Sequence, residues 1–294
     1  MNLNGRRESE NVEDRRGMSS GAKMGIGGGI GAIIVFLIAQ FTGIDVSQLM
    51  GDGTLTGGQQ QQTENVDPTS FSEEEQELAK FSKIIEASTE DIWTKIFEEQ
   101  GLGTYKAPIL VLYTGQTSTA CGTGNAAVGP FYCSGDQRLY IDLSFFSTMQ
   151  QQLGAGGELS YAYVIAHEVG HHIEYLTGIL ERAHAKMSQY GQNSAEANRI
   201  SVRLELLADF YAGLWAHYEN QQFGSIEDGE LEEAIDCAMK IGDDYLQKKA
   251  GYNVTMPEQF THGTSAQRMR WFKKGYTTGD FQQGNTFDLS DSQL

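Results

Sequence analysis

The chain has 294 residues, a formal net charge of −18 and three cysteines. This length fits one domain of about 200 residues plus an attached segment, and a domain of that size buries a sufficient core without cross-links. The acidic balance argues against nucleic acid as a partner, because phosphates favour a basic protein face, and three cysteines are too few for a disulfide scaffold.

The amino-terminal quarter divides by composition into three parts. Residues 1–23 mix basic and acidic side chains, which is typical of a disordered polar tail. Residues 24–44 carry no charge and are long enough to cross a bilayer as a helix, so they predict one transmembrane helix. Residues 45–70 are rich in Gly, Thr and Gln and indicate a flexible linker.

The distribution of basic residues predicts an orientation for this apolar segment. Five Lys and Arg residues precede it, and the next basic residue after it is Lys80. The positive-inside rule then predicts a single-pass membrane protein with a cytoplasmic amino terminus and an extracytoplasmic domain in the cell envelope. A cleaved signal peptide is the alternative, but no A-x-A site follows the apolar run.

Residues 71–288 predict an α+β domain that is mostly helical with a small β-sheet, followed by a frayed tail over residues 289–294. Helical spacing of apolar residues begins after the capping box of Ser72 and Glu75. Strand patterns occupy residues 108–113, 129–133 and 139–143. Residues 125–128 are candidates for an edge strand that binds an extended peptide, with a purely structural hairpin as the alternative.

Cys121 and Cys133 can pair across the loop between them, whereas Cys237 fits a small buried apolar residue in a helix. Such a loop closure would contribute on the order of 3 kcal/mol to stability.

The segment AYVIAHEVGHHIEYLT, residues 162–177, contains the motif with the clearest chemistry. His167 and His171 are four apart and share one helix face, so both imidazoles can reach one tetrahedral zinc ion. Glu168 lies beside that ion and can act as the general base toward a zinc-activated water. Gly170 leaves space for another part of the chain to approach closely. His172 points about 100° away from His171 and fits a polar flank better than a ligand.

Two histidines leave a catalytic zinc one protein ligand short. The segment RLELLADFYAG supplies Glu205 as the candidate third ligand and Asp209, one turn later, as a candidate acceptor for the outer N–H of a ligating histidine. Both carboxylates lie among apolar residues, and buried carboxylates need a cation. His184 lies in a polar segment and fits a solvated residue better than a third ligand.

HEVGHH followed by E-x-x-A-D resembles the zincins that use a glutamate ligand. From NGRRESENVEDRRG to FTHGTS, the chain resembles the bacterial family of putative neutral zinc metallopeptidases with a single amino-terminal membrane anchor. The resemblance implies His167, His171 and Glu205 as ligands and Glu168 as the catalytic base. The family pattern has cysteines where this chain holds Phe210 and Gly284.

FTHGTSAQRMRWF contains the last candidate for chemistry. The tetrahedral intermediate of peptide hydrolysis carries an oxyanion, and His262 is a candidate donor to it. A satisfied structural histidine is the alternative. Arg268 can brace this loop by pairing with a carboxylate such as Asp209.

The sequence therefore predicts a membrane-anchored endopeptidase with one Zn²⁺ per chain and a peptide or protein as substrate. Two alternatives stay open. One is a zinc-stabilised scaffold protein without activity, although structural zinc sites normally have four protein ligands. The other is a zinc amidase that acts on a nonpeptide component of the envelope.

Overall fold

The computed structural model describes residues 1–17, 71–126, 129–191 and 193–294. The predicted transmembrane helix over residues 24–44 and the linker over residues 45–70 lie outside these ranges. Among the described helices, none combines the length and the apolar character that a membrane crossing requires.

The described part of the chain is an α+β fold in which helices predominate. The helices are α1 (Glu73–Gln100), α2 (Ser144–Thr148), α3 (Glu158–Leu176), α4 (Ile179–Tyr190), α5 (Ala195–Phe223), α6 (Glu230–Lys240), α7 (Asp243–Lys249) and α8 (Ser265–Thr278). One turn of π-helix (Met149–Leu153) follows α2, and short 3₁₀ turns occupy Pro257–Gln259, Phe281–Gln283 and Asp291–Gln293.

Local signals explain where the principal helices begin and end. Ser72 and Ser194 cap α1 and α5 by accepting hydrogen bonds from Glu75 and Ala197 backbone N–H groups. The helix α3 ends just before Gly178, which has a φ of 71°, the left-handed conformation in which a glycine commonly ends a helix.

The sheet has four strands in the order β1-β2-β6-β5, with β5 at one edge. The strands are β1 (Val12–Asp14), β2 (Ile109–Tyr113), β5 (Phe131–Cys133) and β6 (Arg138–Asp142). β1, β2 and β6 run parallel, whereas β5 is antiparallel to β6. β3 (Gln116–Thr119) and β4 (Gly122–Asn125) form a separate antiparallel hairpin.

Alternate residues of the two central strands face different clusters, as the two-residue period of a strand requires. Leu110, Leu112 and Ile141 face the helices in the main core, while Val111 and Tyr140 face a smaller cluster on the other side. The central strands are therefore buried on both faces.

Glycines allow the core helices to approach closely. A β-carbon on Gly170 of α3 would lie 2.9 Å from Cα of Ala208 in α5, so the predicted close approach at Gly170 is confirmed. At the crossing of α5 and α8, a β-carbon on Gly213 would lie 2.0 Å from the Phe272 carbonyl oxygen.

Residues 1–17 are not a disordered tail, and the prediction of disorder is wrong for them. β1 pairs with β2, and Arg6 forms an ion pair with the fully buried Glu219 at 2.6 Å. Ser9 is buried and donates a hydrogen bond to Glu90 of α1. Composition alone missed this because the charged side chains of the segment have partners in the folded domain.

The docking of β1 is relevant to the predicted orientation. A single membrane crossing by residues 24–44 would put the residues before and after it on opposite sides. β1 and β2 are neighbouring strands of one sheet, so they must lie on the same side. A cytoplasmic amino terminus together with an extracytoplasmic domain would require β1 to separate from β2. The four arginines before residue 18 that suggested the orientation all pair with carboxylates of the described residues.

The carboxyl-terminal residues are also ordered, contrary to the predicted frayed tail over residues 289–294. Arg203 of α5 donates to the carbonyl oxygens of Thr286 and Leu289 and pairs with Asp291. The side chain of Leu294 is only 3% exposed. Arg203 stabilises this segment because it satisfies carbonyl groups that have no helix or strand partners.

Cys121 and Cys133 form a disulfide, with Cα atoms 5.8 Å apart, that joins the β3–β4 hairpin to the edge strand β5. Asn125 belongs to that hairpin, and residues 127–128 lie outside the described ranges. The edges of the four-stranded sheet are β1 and β5, and Asn125 lies in the separate hairpin, so the structure does not place Asn125 at an edge of the four-stranded sheet.

Phe210 and Gly284, which stand where the family pattern has cysteines, are adjacent in space. A β-carbon on Gly284 would lie 2.9 Å from the ring of Phe210, so that ring occupies the space beside Gly284.

Candidate metal centre

The candidate metal centre forms where α3 packs against α5. His167 and His171 lie one turn apart on α3, and Glu205 faces them from α5. Nε2 of His167 is 3.2 Å from Oε2 of Glu205, and Nε2 of His171 is 3.6 Å from Oε1 of Glu205. One donor atom from each residue lies within 4.8 Å of the other two. The structure therefore brings all three predicted ligands to one point.

In both histidines a carboxylate lies within hydrogen-bond distance of Nδ1, the ring nitrogen that faces away from Glu205. Nδ1 of His167 is 2.9 Å from Oδ1 of Asp209, as the position of Asp209 predicted. Nδ1 of His171 is 2.9 Å from Oε2 of Glu174. When Nδ1 carries the proton and donates it to a carboxylate, Nε2 keeps a free lone pair for a metal. Both imidazoles are therefore oriented with Nε2 toward Glu205.

Glu174 is the residue that the sequence analysis missed. It lies three positions after His171, which is a spacing that puts both side chains on one helix face, and it is fully buried. That spacing was the signal available in the sequence. Glu174 can therefore orient the imidazole of His171 through Nδ1, as Asp209 orients that of His167.

Asp209 is the centre of a buried hydrogen-bond network. Its carboxylate accepts hydrogen bonds from the Tyr163 hydroxyl at 2.5 Å and from Nε and an Nη of Arg268, each at 2.9 Å. Burial would raise the pKa of Asp209, but Arg268 and His167 outweigh it and lower the pKa to about 2. Asp209 is therefore ionised, and the suggested pair of Arg268 with Asp209 is present.

Glu168 lies at the wall of the same cavity but is not part of the three-residue donor group. Burial raises the pKa of its carboxyl, with nearby His171 and His167 and the backbone N–H of Tyr132 acting in the opposite direction. A carboxylate with a raised pKa beside a metal site suits proton transfer near neutral pH.

His262 also lines the cavity and approaches the site from the loop before α8. Its Nε2 is 3.8 Å from Oε2 of Glu205, so it faces the centre from outside the donor group. Asp243 holds the loop, because its Oδ2 accepts hydrogen bonds from the backbone N–H groups of His262 and Gly263 at 2.8 and 2.9 Å. Burial lowers the pKa of His262 to about 4, so its imidazole is neutral at pH 7.

The other two candidate histidines lie outside the donor group. His172 is fully buried rather than on a polar flank, with Nε2 2.7 Å from the Lys106 carbonyl oxygen and Nδ1 2.9 Å from the Tyr132 hydroxyl. Burial lowers its pKa to about 4, so it is a neutral residue that joins α3 to β5. His184 is exposed on α4, where a solvated histidine was predicted.

The donor set fits zinc on chemical grounds. Two imidazole nitrogens and one carboxylate oxygen are the protein ligands of many catalytic zinc sites, which leave one position open. The nearby imidazoles outweigh the effect of burial and hold the pKa of Glu205 well below its usual value, so this ligand is anionic. The three residues line a cavity of about 310 Å³, so a metal ion held by them would be accessible to small molecules.

The fold and the site together define the class, a mostly helical α+β protein with an H-E-x-x-H metal centre and a downstream glutamate. Residues 1–287 match the family described as putative neutral zinc metallopeptidase, so the chain belongs to that family.

The relatives include uncharacterized proteins of two bacteria. YpfJ of Escherichia coli K12 is 48% identical over 300 residues, which cover 99% of this chain and all of YpfJ. Rv2575 of Mycobacterium tuberculosis H37Rv is 38% identical over 214 residues, 69% of each chain. No solved structure matches this chain.

Proposed function

We propose that this chain is a zinc-dependent endopeptidase in which His167, His171 and Glu205 bind one zinc ion per chain. The observation that carries the proposal is the position of Glu168, which shares the cavity with the three donor atoms but is not one of them. A structural zinc site has four protein ligands and no need of such a carboxylate.

The protein's own residues then supply positioning and proton transfer. A bound zinc ion supplies Lewis acidity, which activates a water molecule and polarises a carbonyl group. Glu168 takes the proton from the attacking water and returns it to the leaving amine. Neutral His262 presents an N–H from the other side of the cavity to the oxygen on which negative charge develops.

The substitution Glu168→Gln in the full chain tests this role, with zinc content and cleavage of an unfolded protein as measurements. We expect zinc to stay bound and cleavage to fall by roughly 10²-fold or more, because removing a positioned proton-transfer group typically costs 10²- to 10⁴-fold. The matched control is Glu181→Gln, since Glu181 is an exposed glutamate of α4. Equal cleavage by Glu168→Gln and wild type would contradict the assignment.

Two further variants separate the roles of the other residues. Glu205→Ala removes a ligand, so stoichiometric zinc should be lost. His262→Gln should retain zinc and lower kcat by roughly 10²- to 10³-fold, as loss of an oxyanion donor does. Stoichiometric zinc without cleavage of any peptide by wild type would instead favour the scaffold protein or the amidase.

We also propose that residues 24–44 attach the chain to a membrane, with residues 1–17 and 71–294 together on the extracytoplasmic side. The apolar composition of residues 24–44 supports attachment. The Cys121–Cys133 disulfide supports an oxidising compartment, and the pairing of β1 with β2 supports a shared side.

Thiol labelling of intact cells tests the shared side. Glu10→Cys reports on the amino-terminal segment and Val254→Cys on the domain, since both positions are exposed. The one free cysteine among the described residues, Cys237, is buried, so its background should be low. We expect a membrane-impermeant maleimide to label both variants before lysis. Labelling of Val254→Cys alone would contradict the shared side, and labelling of neither would contradict the extracytoplasmic location.

A further inference from the structure

The cavity beside the candidate metal centre is lined by the charged and imidazole groups of that centre and, away from it, by uncharged and mostly apolar side chains. These two parts of the lining are called its polar end and its apolar end. The polar end contains the three donor residues together with Glu168, His262 and Arg268. The remaining lining comes from β5 and its approach, from α2 and the π-turn, from the first half of α3 and from the α6–α7 region. Its aliphatic and aromatic side chains include Phe145, Met149, Leu153, Val164, Ile241 and Leu246.

The apolar end adjoins the general-base candidate directly. Val164 precedes Glu168 by four positions on α3, so the two side chains lie on the same helix face one turn apart. Both residues line the cavity. A group held over Val164 is therefore next to the bond that Glu168 would act upon.

A π-helical turn, a rare type of secondary structure, forms part of the apolar end. The π-turn Met149–Leu153 carries Met149 and Leu153 into the lining, and both are at least 95% buried. Single π-helical turns inserted next to α-helices occur frequently at functional sites. Gly129 also lines the cavity, and a β-carbon on it would lie 3.0 Å from the ring of Phe145.

The charges of the cavity do not extend to this end. Glu168 and Glu205 lie at the metal end, and Arg268 is paired with Asp209. A charged substrate side chain placed among Met149, Leu153 and Leu246 would lose its hydration without an opposite charge there. A large apolar side chain would remove its own surface from water at about 25 cal/mol per Å².

We propose that this apolar end is the specificity pocket of the enzyme and takes one bulky aliphatic or aromatic side chain of a peptide, from a residue flanking the cleaved bond. The proposal rests on the proposed peptidase function. The cavity of about 310 Å³ is at the lower end of the range for small-ligand sites, which suits one side chain and its adjoining backbone.

The test uses one peptide sequence with a single varied position, carrying Leu, Phe, Ala, Asp or Lys beside the cleaved bond. We expect wild type to cleave the Leu and Phe peptides with kcat/KM at least 10-fold above the Ala peptide and further above the charged peptides. Ile241→Trp fills the pocket and should lower kcat/KM for the Phe peptide at least 10-fold more than kcat/KM for the Ala peptide. Ile226→Trp is the matched control, because Ile226 is part-buried and does not line this cavity.

Binding provides a readout that does not depend on cleavage. Fluorescence anisotropy with zinc-loaded Glu168→Gln should rank the same peptides in the same order, and Ile241→Trp in that background should remove the preference for Phe. Binding or cleavage within threefold for all five peptides overturns the pocket. Ranked binding by Glu168→Gln without cleavage by wild type supports the pocket and contradicts the peptidase function.

Discussion

Asp209 connects the candidate metal centre to Arg268 and Tyr163, two buried residues outside the donor group. Its carboxylate orients His167, accepts two hydrogen bonds from Arg268 and accepts another from Tyr163. A ligating imidazole with a fixed Nδ1–H has a defined Nε2 direction and is a stronger donor to the metal. The affinity for zinc should therefore depend on a residue that does not touch the ion.

Replacing Asp209 with Asn tests this dependence. The amide keeps the size of the side chain but removes the negative charge between His167 and Arg268, so we expect the zinc affinity to fall by roughly 10- to 100-fold. Competition with a chelator of known affinity measures the change. Asp91→Asn is the control, because Asp91 lies at the surface of α1. An unchanged zinc affinity in Asp209→Asn would show that His167 does not need this partner.

Glu86 is also a buried carboxyl, but its effect is on the stability of the fold rather than on a metal ligand. It is fully buried in α1, and within the described residues neither of its oxygens has a hydrogen-bond partner. Burial, together with the nearby Glu90, raises its pKa well above the usual value of 4.5. The folded state therefore binds the proton of Glu86 more tightly than the unfolded state does.

Because the folded state binds this proton more tightly, ionisation of Glu86 makes the free energy of unfolding decrease as the pH rises. The contribution of the protonated Glu86 is fully present below about pH 4.5 and decreases as the pH rises toward its folded pKa. We expect Glu86→Gln, which cannot ionise, to gain stability relative to wild type between pH 4.5 and pH 8. Urea denaturation at both pH values measures the free energy of unfolding, with Glu98→Gln as an exposed control on the same helix. A constant difference across this range would contradict the raised pKa.

At the scale of elements, the metal centre depends on the distance between α3 and α5. His167 and His171 are on one helix and Glu205 is on the other, so the helix separation sets the spacing of the donor atoms. Gly170 lies against Ala208 at this crossing, with no room for a β-carbon. The packing of one glycine thus contributes to the geometry of the ligands.

Gly170→Ala should therefore have two measurable effects. In an unconstrained helix this change adds about 1 kcal/mol of stability, but here the added methyl group meets backbone atoms of α5. We expect a net loss of about 1–3 kcal/mol in the free energy of unfolding and a weaker affinity for zinc. Denaturation and chelator competition measure the two, and Ser188→Ala on the exposed face of α4 is the control. Increased stability with unchanged zinc affinity would contradict the close contact.

At the scale of the whole molecule, residues 1–17 complete the fold that residues 71–294 form. They add an outer strand to the sheet and place Arg6 beside Glu219, whose side chain has no exposure to solvent. Glu219 also accepts hydrogen bonds from Ser88 and Ser225. Removal of Arg6 would leave this buried carboxylate without its cation.

We expect Arg6→Ala to lower the free energy of unfolding by about 3 kcal/mol or more, as removal of one partner from a buried ion pair does. Arg7→Ala is the matched control, because Arg7 pairs with Glu90 and Asp91 with nearly half of its side chain exposed. Such a surface pair contributes about 1 kcal/mol or less. Similar small effects from both variants would show that the amino-terminal segment is not part of the cooperative fold.

The sequence by itself determined the features that depend on local periodicity. The spacing of His167, Glu168 and His171, and that of Glu205 and Asp209, puts each set on one helix face whatever the rest of the fold does. The predominance of helix and the need for close packing at Gly170 followed from the same local rules.

Only the tertiary structure decided which distant segments meet. Residues 1–17 have the composition of a disordered tail, but Arg6 and Arg7 pair with Glu219 and Glu90, which lie at least 80 positions away in the sequence. The edge strand β5, the position of His262 and the apolar end of the cavity likewise depend on contacts between elements. Such contacts form because a surface on one segment complements a surface on another, and a local pattern contains only one of the two.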